Sequence, residues 1–295
     1  MPPAIRAAMA VLSPNILKQR REMLMEYLPL LSILLVTGAV AGLLAGLLGV
    51  GGGIVIVPVL FFVFQHFGMS ETAAMSLATG TSLATIVPTS IASLRAHTAR
   101  GNVDYALLKR WAPFILLGVL SGSLLLANWQ STVFILLFAV LAMLVSVRML
   151  LQTSASDGRL PNAWWQSLTA FAVGKLSVMA GIGGGTLGVP VLNHFGFVAH
   201  RAVGTAAAFG LLIALPGAMV MLLIAPSPTA APVGTYGAVN LAAFLVIVVL
   251  TVWFAPLGVK LGHKLPAAGL RKVFGWVLLF TGLRMFYQVV DGVWF

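Results

Sequence analysis

The chain has 295 residues, 60% of them hydrophobic and only 8% charged, with a mean hydropathy of +1.05 and a formal net charge of +11. A soluble domain carries about 25% charged residues to cover its surface, so the solvent for most of this chain must be lipid. There is no cysteine, which excludes disulfides, thiolate metal sites and thiol relays. The positive balance does not signal nucleic acid: Lys and Arg stand at the ends of apolar segments, where positive-inside topology wants them, and no soluble stretch is long enough for a nucleic-acid-binding domain.

Residues 1–27 form an N-terminal tail interrupted by Arg6, Lys18, Arg20 and Arg21, which is not the pattern of a cleavable signal. A helix needs about 20 apolar residues to cross the hydrocarbon core. Runs that meet or approach that length cover 28–49, 54–67, 70–94, 107–127 and 132–151, then 164–181, 186–198, 202–225, 237–259 and 271–290. The second and seventh are short, about 20 Å of helix each, and each follows a glycine cluster. They read as tilted, broken or re-entrant. The linker 152–163, with Asp157-Gly158 and Pro161, has loop chemistry and divides the ten segments into two halves, 28–151 and 164–295.

The halves repeat. Residues 49–60 (GVGGGIVIVPVL) and 181–192 (GIGGGTLGVPVL) agree at 8 of 12 positions, and His66-Phe67-Gly68 corresponds to His194-Phe195-Gly196. Pro88 and Pro216 keep the same offset as that second match. With an odd number of crossings per half, the halves must lie in opposite senses, the inverted-repeat plan of many secondary transporters. Charge supports this. The loop 95–110 carries Arg95, Arg100, Lys109 and Arg110, whereas its counterpart near 226–236 carries none. Lys260, Lys264, Arg271 and Lys272 likewise face an uncharged counterpart near 128–131. With ten crossings these rich loops and Arg148–Arg159 share one side, the cytoplasmic one. Lys18, Arg20 and Arg21 then fall outside, unless the tail lies flat at the interface or one short segment does not cross.

The two glycine clusters are the most informative feature. Four glycines in five positions weaken a helix by about 1 kcal/mol each, and backbone opened inside a bilayer must be satisfied by protein, water or ligand. The break also frees the N-terminus of the helix that follows, whose N–H groups and dipole favour an anion. Gly51, Gly52 and Gly53, with Gly183, Gly184, Gly185 and the hydroxyl of Thr186, are therefore candidate substrate-binding residues; the competing reading is close helix packing. Neither cluster continues into Lys-Ser/Thr or follows a strand, so P-loop and dinucleotide motifs are excluded.

Ser76 and Thr79 join the candidates from a hydroxyl stripe (Thr72, Ser76, Thr79, Ser82) in the third segment, with interhelical bonding as the alternative. Lys175, the one cation well inside an apolar run, either attracts the anion or snorkels to the interface near Trp164 and Trp165. Glu71 is the acidic candidate for proton coupling. The five histidines have no metal-ligand spacing, no clustered nucleophile or base suggests an enzyme, and no cofactor or metal is expected.

A Gly-x-Gly-Gly-Gly break running into Val-Pro-x-Leu once in each half resembles the TauE/SafE family of sulfite and sulfonate exporters. So do MSETAAMSLATGTSLATIVPTSIAS (69–93) and HRAVGTAAAFGLLIALPGA (200–218). The resemblance spans about residues 30–290. It implies outward transport of a small sulfur-containing oxyanion, sulfite or a short organosulfonate such as sulfoacetate. The expectation is thus an all-α multi-pass protein of the cell inner membrane, with a small anion and the bilayer as partners. A proton is the candidate coupling ion and a homodimer is left open. An anion channel, or an importer of another small anion, is the alternative.

Overall fold

The computed structural model describes residues 14–49, 51–129, 131–151, 158, 160–262 and 268–294. The tail before Pro14, Arg159 and Lys264 lie outside the described residues, as do the side chains of Lys18, Arg20, Arg21 and Arg271. Among the described residues there are ten helices: α1 (Pro14–Leu48), α2 (Gly53–His66), α3 (Glu71–Thr98), α4 (Tyr105–Asn128), α5 (Thr132–Leu151), α6 (Ala163–Met179), α7 (Gly184–His194), α8 (Ala199–Leu223), α9 (Leu241–Gly262) and α10 (Ala268–Trp294). Seven have a stretch long and apolar enough to cross a membrane; α2, α6 and α7 are shorter. The protein is an all-α polytopic membrane protein.

Two details depart from the sequence expectation. Helix α1 begins 14 residues before the apolar run at Leu28, because polar residues such as Lys, Gln, Arg and Glu are good helix formers and need no apolar face to continue a helix. The stretch before α9 is a small hairpin of β1 (Thr235–Tyr236) and β2 (Val239–Asn240), turned at Gly237 with φ 54°.

Glycine sets how closely the helices approach. Gly38, Gly42 and Gly46 of α1 meet Ile247, Thr251 and Ala255 of α9 in the same order, so the two helices run parallel. A Cβ on Gly46 would lie 2.0 Å from the Ala255 carbonyl oxygen. Gly118 and Gly122 of α4 meet Phe171 and Lys175–Val178 of α6 in the same way, again parallel. Small residues let backbones touch, the usual basis of association where lipid removes any hydrophobic drive between helices.

Other contacts give the remaining directions. Thr81 and Thr89 of α3 pair with Asn240 and Thr251, so α3 runs with α9 and α1. Gly53 lies on Ile86 and Val57 near Thr79, so α2 runs against α3. Gly184 and Gly188 meet Gly210 and Ala206, so α7 runs against α8. Gly275 and Gly282 meet Leu150 and Met143, so α10 runs against α5. All of these pair directions agree with a chain that alternates in direction from helix to helix, α2 and α7 included.

The helix pairings keep their form when the halves are exchanged. α1 packs on α9 as α6 packs on α4, α3 on α9 as α8 on α4, and α2 on α3 as α7 on α8. α3 meets α8, and α5 meets α10. Two matched seats accompany these pairings. The backbone N–H of Asp104 donates to Thr205 Oγ1 at 2.9 Å beside Gly204, and the Asp104 carboxylate caps α4. The backbone N–H of Asn240 donates to Thr81 Oγ1 at 2.9 Å beside Gly80, and its side-chain oxygen accepts from Ala243 N at the start of α9.

These contacts leave no room for a methyl group. Gly46→Ala should destabilise the detergent-solubilised protein by about 1–3 kcal/mol through overpacking. Gly269→Ala, with nothing within 4 Å of its added carbon, should leave the thermal unfolding midpoint unchanged. Equal midpoints for both variants would contradict the packing described.

Candidate functional site

The two glycine breaks come together at the contact between the halves. A Cβ on Gly51 would lie 3.0 Å from Gly183 Cα, and one on Gly53 would lie 2.6 Å from the Gly181 carbonyl oxygen. Gly51 and Gly52 have φ of 75° and 78°, a left-handed conformation that costs glycine nothing and other residues much. The first glycine of each break is alike, Gly49 and Gly181 both having φ 66°, but Gly183 is extended at φ −70° and ψ 161° where Gly51 is left-handed.

Neither short helix has a side-chain cap. Gly52 precedes α2 and Gly183 precedes α7, and glycine has no side chain to offer the first N–H groups. The Gly52 carbonyl accepts from Val55 and Ile56, and the Gly183 carbonyl accepts from Thr186 N at 3.2 Å. The dipole of each short helix thus starts at bare backbone inside the protein.

Helix α3 supplies hydroxyls to this meeting point. Ser82 Oγ donates to the Gly181 carbonyl at 2.8 Å, bonding the first half to the second break. Thr79 lies against Gly181, whose added carbon would be 2.9 Å from its Cα. Thr79 is fully buried and its Oγ1 has no hydrogen-bond partner. Ser177, on α6 one turn before the break, is also fully buried with an unpartnered Oγ. Its carbonyl meanwhile accepts from Ile182 N at 2.9 Å. A buried hydroxyl normally finds a partner, and these two stand without one beside the same break. Ser76 on α3 and Thr186 on α7 are buried as well.

The structure thus gathers Gly51, Gly53, Thr79, Gly181 and Gly183, with Ser82 and Ser177 added. Gly52 lies against the Ala41 carbonyl and Gly184 against Phe209 and Gly210, so these two serve packing as well. Ser177 escaped the sequence reading because a lone serine in an apolar helix is ordinary; its distance of one turn from the glycines was the available signal. Lys175 is half-buried, with Nζ 5.8 Å from the ring of Phe171. That ring lies one turn toward the start of α6, and about 15 Å of chain separates it from Gly181, so the ammonium points away from the break. Glu71 stands at the first turn of α3, where its Oε1 accepts from Gln288 Nε2 of α10. Gln288 Nε2 also donates to Gln65 at 3.1 Å.

Among the described residues no cluster of His, Cys, Asp or Glu could hold a metal ion. What the fold and this site define is a multi-pass helical membrane protein with backbone opened where its two halves meet. Residues 34–285 match the family described as sulfite exporter TauE/SafE, and the chain belongs to that family. It is 32% identical over 261 residues to a probable membrane transporter protein of Haemophilus influenzae, covering 86% of this chain and 97% of that one. Similar proteins of Methanocaldococcus jannaschii (27% over 272 residues, 88% and 97% covered) and Bacillus subtilis (27% over 281 residues, 87% and 97% covered) are also described as probable membrane transporters. No solved structure matches the chain.

Orphaned and bonded hydroxyls should behave oppositely on removal. Ser82→Ala should cost about 0.5–1.5 kcal/mol of stability, whereas Thr79→Val and Ser177→Ala should cost nothing, since each removes a buried group without a partner. Thermal unfolding of the ligand-free protein decides this. Losses at Thr79 or Ser177 equal to that at Ser82 would show that their hydroxyls are bonded within the protein.

Proposed function

We propose that this transporter carries a small sulfur-containing oxyanion, sulfite or a short organosulfonate such as sulfoacetate, outward across the cytoplasmic membrane. The observation that carries the reading is the pair of buried, unpartnered hydroxyls, Thr79 and Ser177, beside uncapped helix starts. Backbone N–H groups at Gly51–Gly53 and Gly183–Gly185 hold the anion, with Thr79, Ser177, Ser76 and Thr186 assisting. Unit charges attract strongly in a low-dielectric cavity, so a salt bridge there would retain the cargo. Two helix ends of about +0.5 charge each attract without permanent pairing. The family's description as sulfite exporters agrees with this chemistry.

The halves form an inverted repeat. Support comes from the alternation of helix direction and from pairings that survive exchange of the halves. Arg100, Lys109, Arg110, Arg148 and Lys260 then share the cytoplasmic side by the positive-inside rule. In a Cys-free chain, Arg100→Cys and Val233→Cys should be labelled by an impermeant maleimide from opposite faces of the membrane. Labelling from one face would refute the inversion.

Glu71 couples flux to protons, being the acidic group of α3 that faces the α2 and α10 ends through Gln288. Purified protein in liposomes should exchange sulfite or sulfoacetate and respond to an imposed pH gradient. Thr79→Val with Ser177→Ala should lower that flux at least about tenfold, the loss of two hydrogen bonds to a charged group. Glu71→Gln should keep exchange but lose the response to pH. Full flux in the double variant would remove the hydroxyls from the site, and a retained pH response in Glu71→Gln would remove Glu71 from coupling.

A further inference from the structure

The fifth helix of each half carries an Arg-Met pair, Arg148-Met149 near the end of α5 and Arg284-Met285 in the second half of α10, and in the sequence a glutamine follows each arginine by four residues. These two helices pack chiefly against each other. Ser146 Oγ donates to the Gly275 carbonyl at 2.6 Å, and Gly282 receives Met143. The pair touches the rest of the protein sparingly, and the two arginines supply a contact at each end.

Arg148 Nη2 donates to the Pro190 carbonyl of α7 at 3.1 Å. The Arg284 guanidinium lies 4.5 Å from the ring centroid of Phe62 on α2. Counted back from His-Phe-Gly, Phe62 and Pro190 stand at the same distance, each four residues before the histidine, although in the Val-Pro-Val-Leu alignment Pro190 answers Pro58. One turn beyond Arg284, Gln288 bonds Gln65 of α2 and Glu71 of α3. Arg148 stands at the end of α5 beside the basic loops; Arg284, on the antiparallel α10, stands toward the opposite side.

An arginine in a membrane helix is costly and is kept for a purpose. Neither of these is held by a carboxylate: among the described residues the ion pair is Arg201 with Asp104, elsewhere. A single carbonyl bond and a cation–ring contact are exchangeable, unlike a buried ion pair. Both grip the short helices whose N-termini open at the glycine breaks.

On the transporter reading above, we infer that the α5–α10 pair is the moving element of the cycle. It closes on α7 through Arg148 at the cytoplasmic mouth and on α2 through Arg284 at the outer mouth. Both ties are made in this structure, and transport requires that they release one at a time. Arg148 and Arg284 are positioning residues, acting on the breaks through the short helices.

Val63 and Val191, each next to a tie, serve as single-cysteine reporters for an impermeant maleimide in sealed vesicles of either orientation, with no substrate added. Arg148→Gln should raise labelling of Val191→Cys from the cytoplasmic face about fivefold, a modest population shift, and leave Val63→Cys unchanged. Arg284→Gln should do the converse from the outer face. Arg148→Met and Arg284→Met, which remove a charge from a membrane helix and so insert readily, should repeat each result. Arg148→Lys and Arg284→Lys should stay near the parent. Unchanged labelling, or a rise at both reporters from either substitution, overturns the inference. Lost sulfite flux with unchanged labelling would keep the transport reading and sink this one. Mouth-specific labelling without flux of any tested anion would do the reverse.

Discussion

A peptide group inside a bilayer must find a hydrogen-bond partner, because lipid offers none. This chain opens its backbone at two places within the membrane-embedded body, and much of the remaining structure answers that problem. The breaks lie against each other, so neither faces lipid. Ser82 satisfies the Gly181 carbonyl from across the halves, while the first turn of each short helix uses the Gly52 and Gly183 carbonyls. In the proposed function, the N–H groups left over at the two helix starts are the donors that hold the anion.

The same constraint explains the use of glycine elsewhere. To bring α3 and α8 onto the breaks, the flanking helices must pack closely, and α1 with α9 and α4 with α6 do so over glycine. The loops that join α3 to α4 and α8 to α9 each seat on a Gly-Thr pair of the opposite half, where the threonine hydroxyl accepts the loop's capping residue. Around such close contacts a small change at one point must be absorbed by whole elements, since packed interiors deform in steps. The α5–α10 pair, held to the rest at few places, is where such movement meets least resistance.

Much of this was legible in the sequence. The glycine clusters with Val-Pro marked the breaks, and the length of the apolar runs marked the helices. The hydroxyl stripe of α3 was visible as a stripe, but its members differ in ways spacing does not reveal: Ser82 is bonded across the halves, and Thr79 is not bonded at all. The pairing of Gly80-Thr81 with Gly204-Thr205 was hidden because it is offset by one helical turn from the alignment through His-Phe-Gly. The hairpin at 235–240 was hidden because its strands are two residues each, too short to show an alternating pattern. Lys175 drew attention as a cation in an apolar run, yet its position beside Phe171 depends on a rotamer that sequence does not specify.

The central claim is that an oxyanion is bound at the glycine breaks by helix starts and the hydroxyls of Thr79 and Ser177. Selenite has the shape and charge of sulfite and a heavier central atom whose anomalous scattering locates it. A crystal structure with selenite tests the claim most directly. The account predicts an anomalous peak beside Gly183–Gly185, with an oxygen within hydrogen-bond reach of Thr79 or Ser177. A peak beside Lys175, or at an arginine of α5 or α10 with none at the breaks, would contradict it.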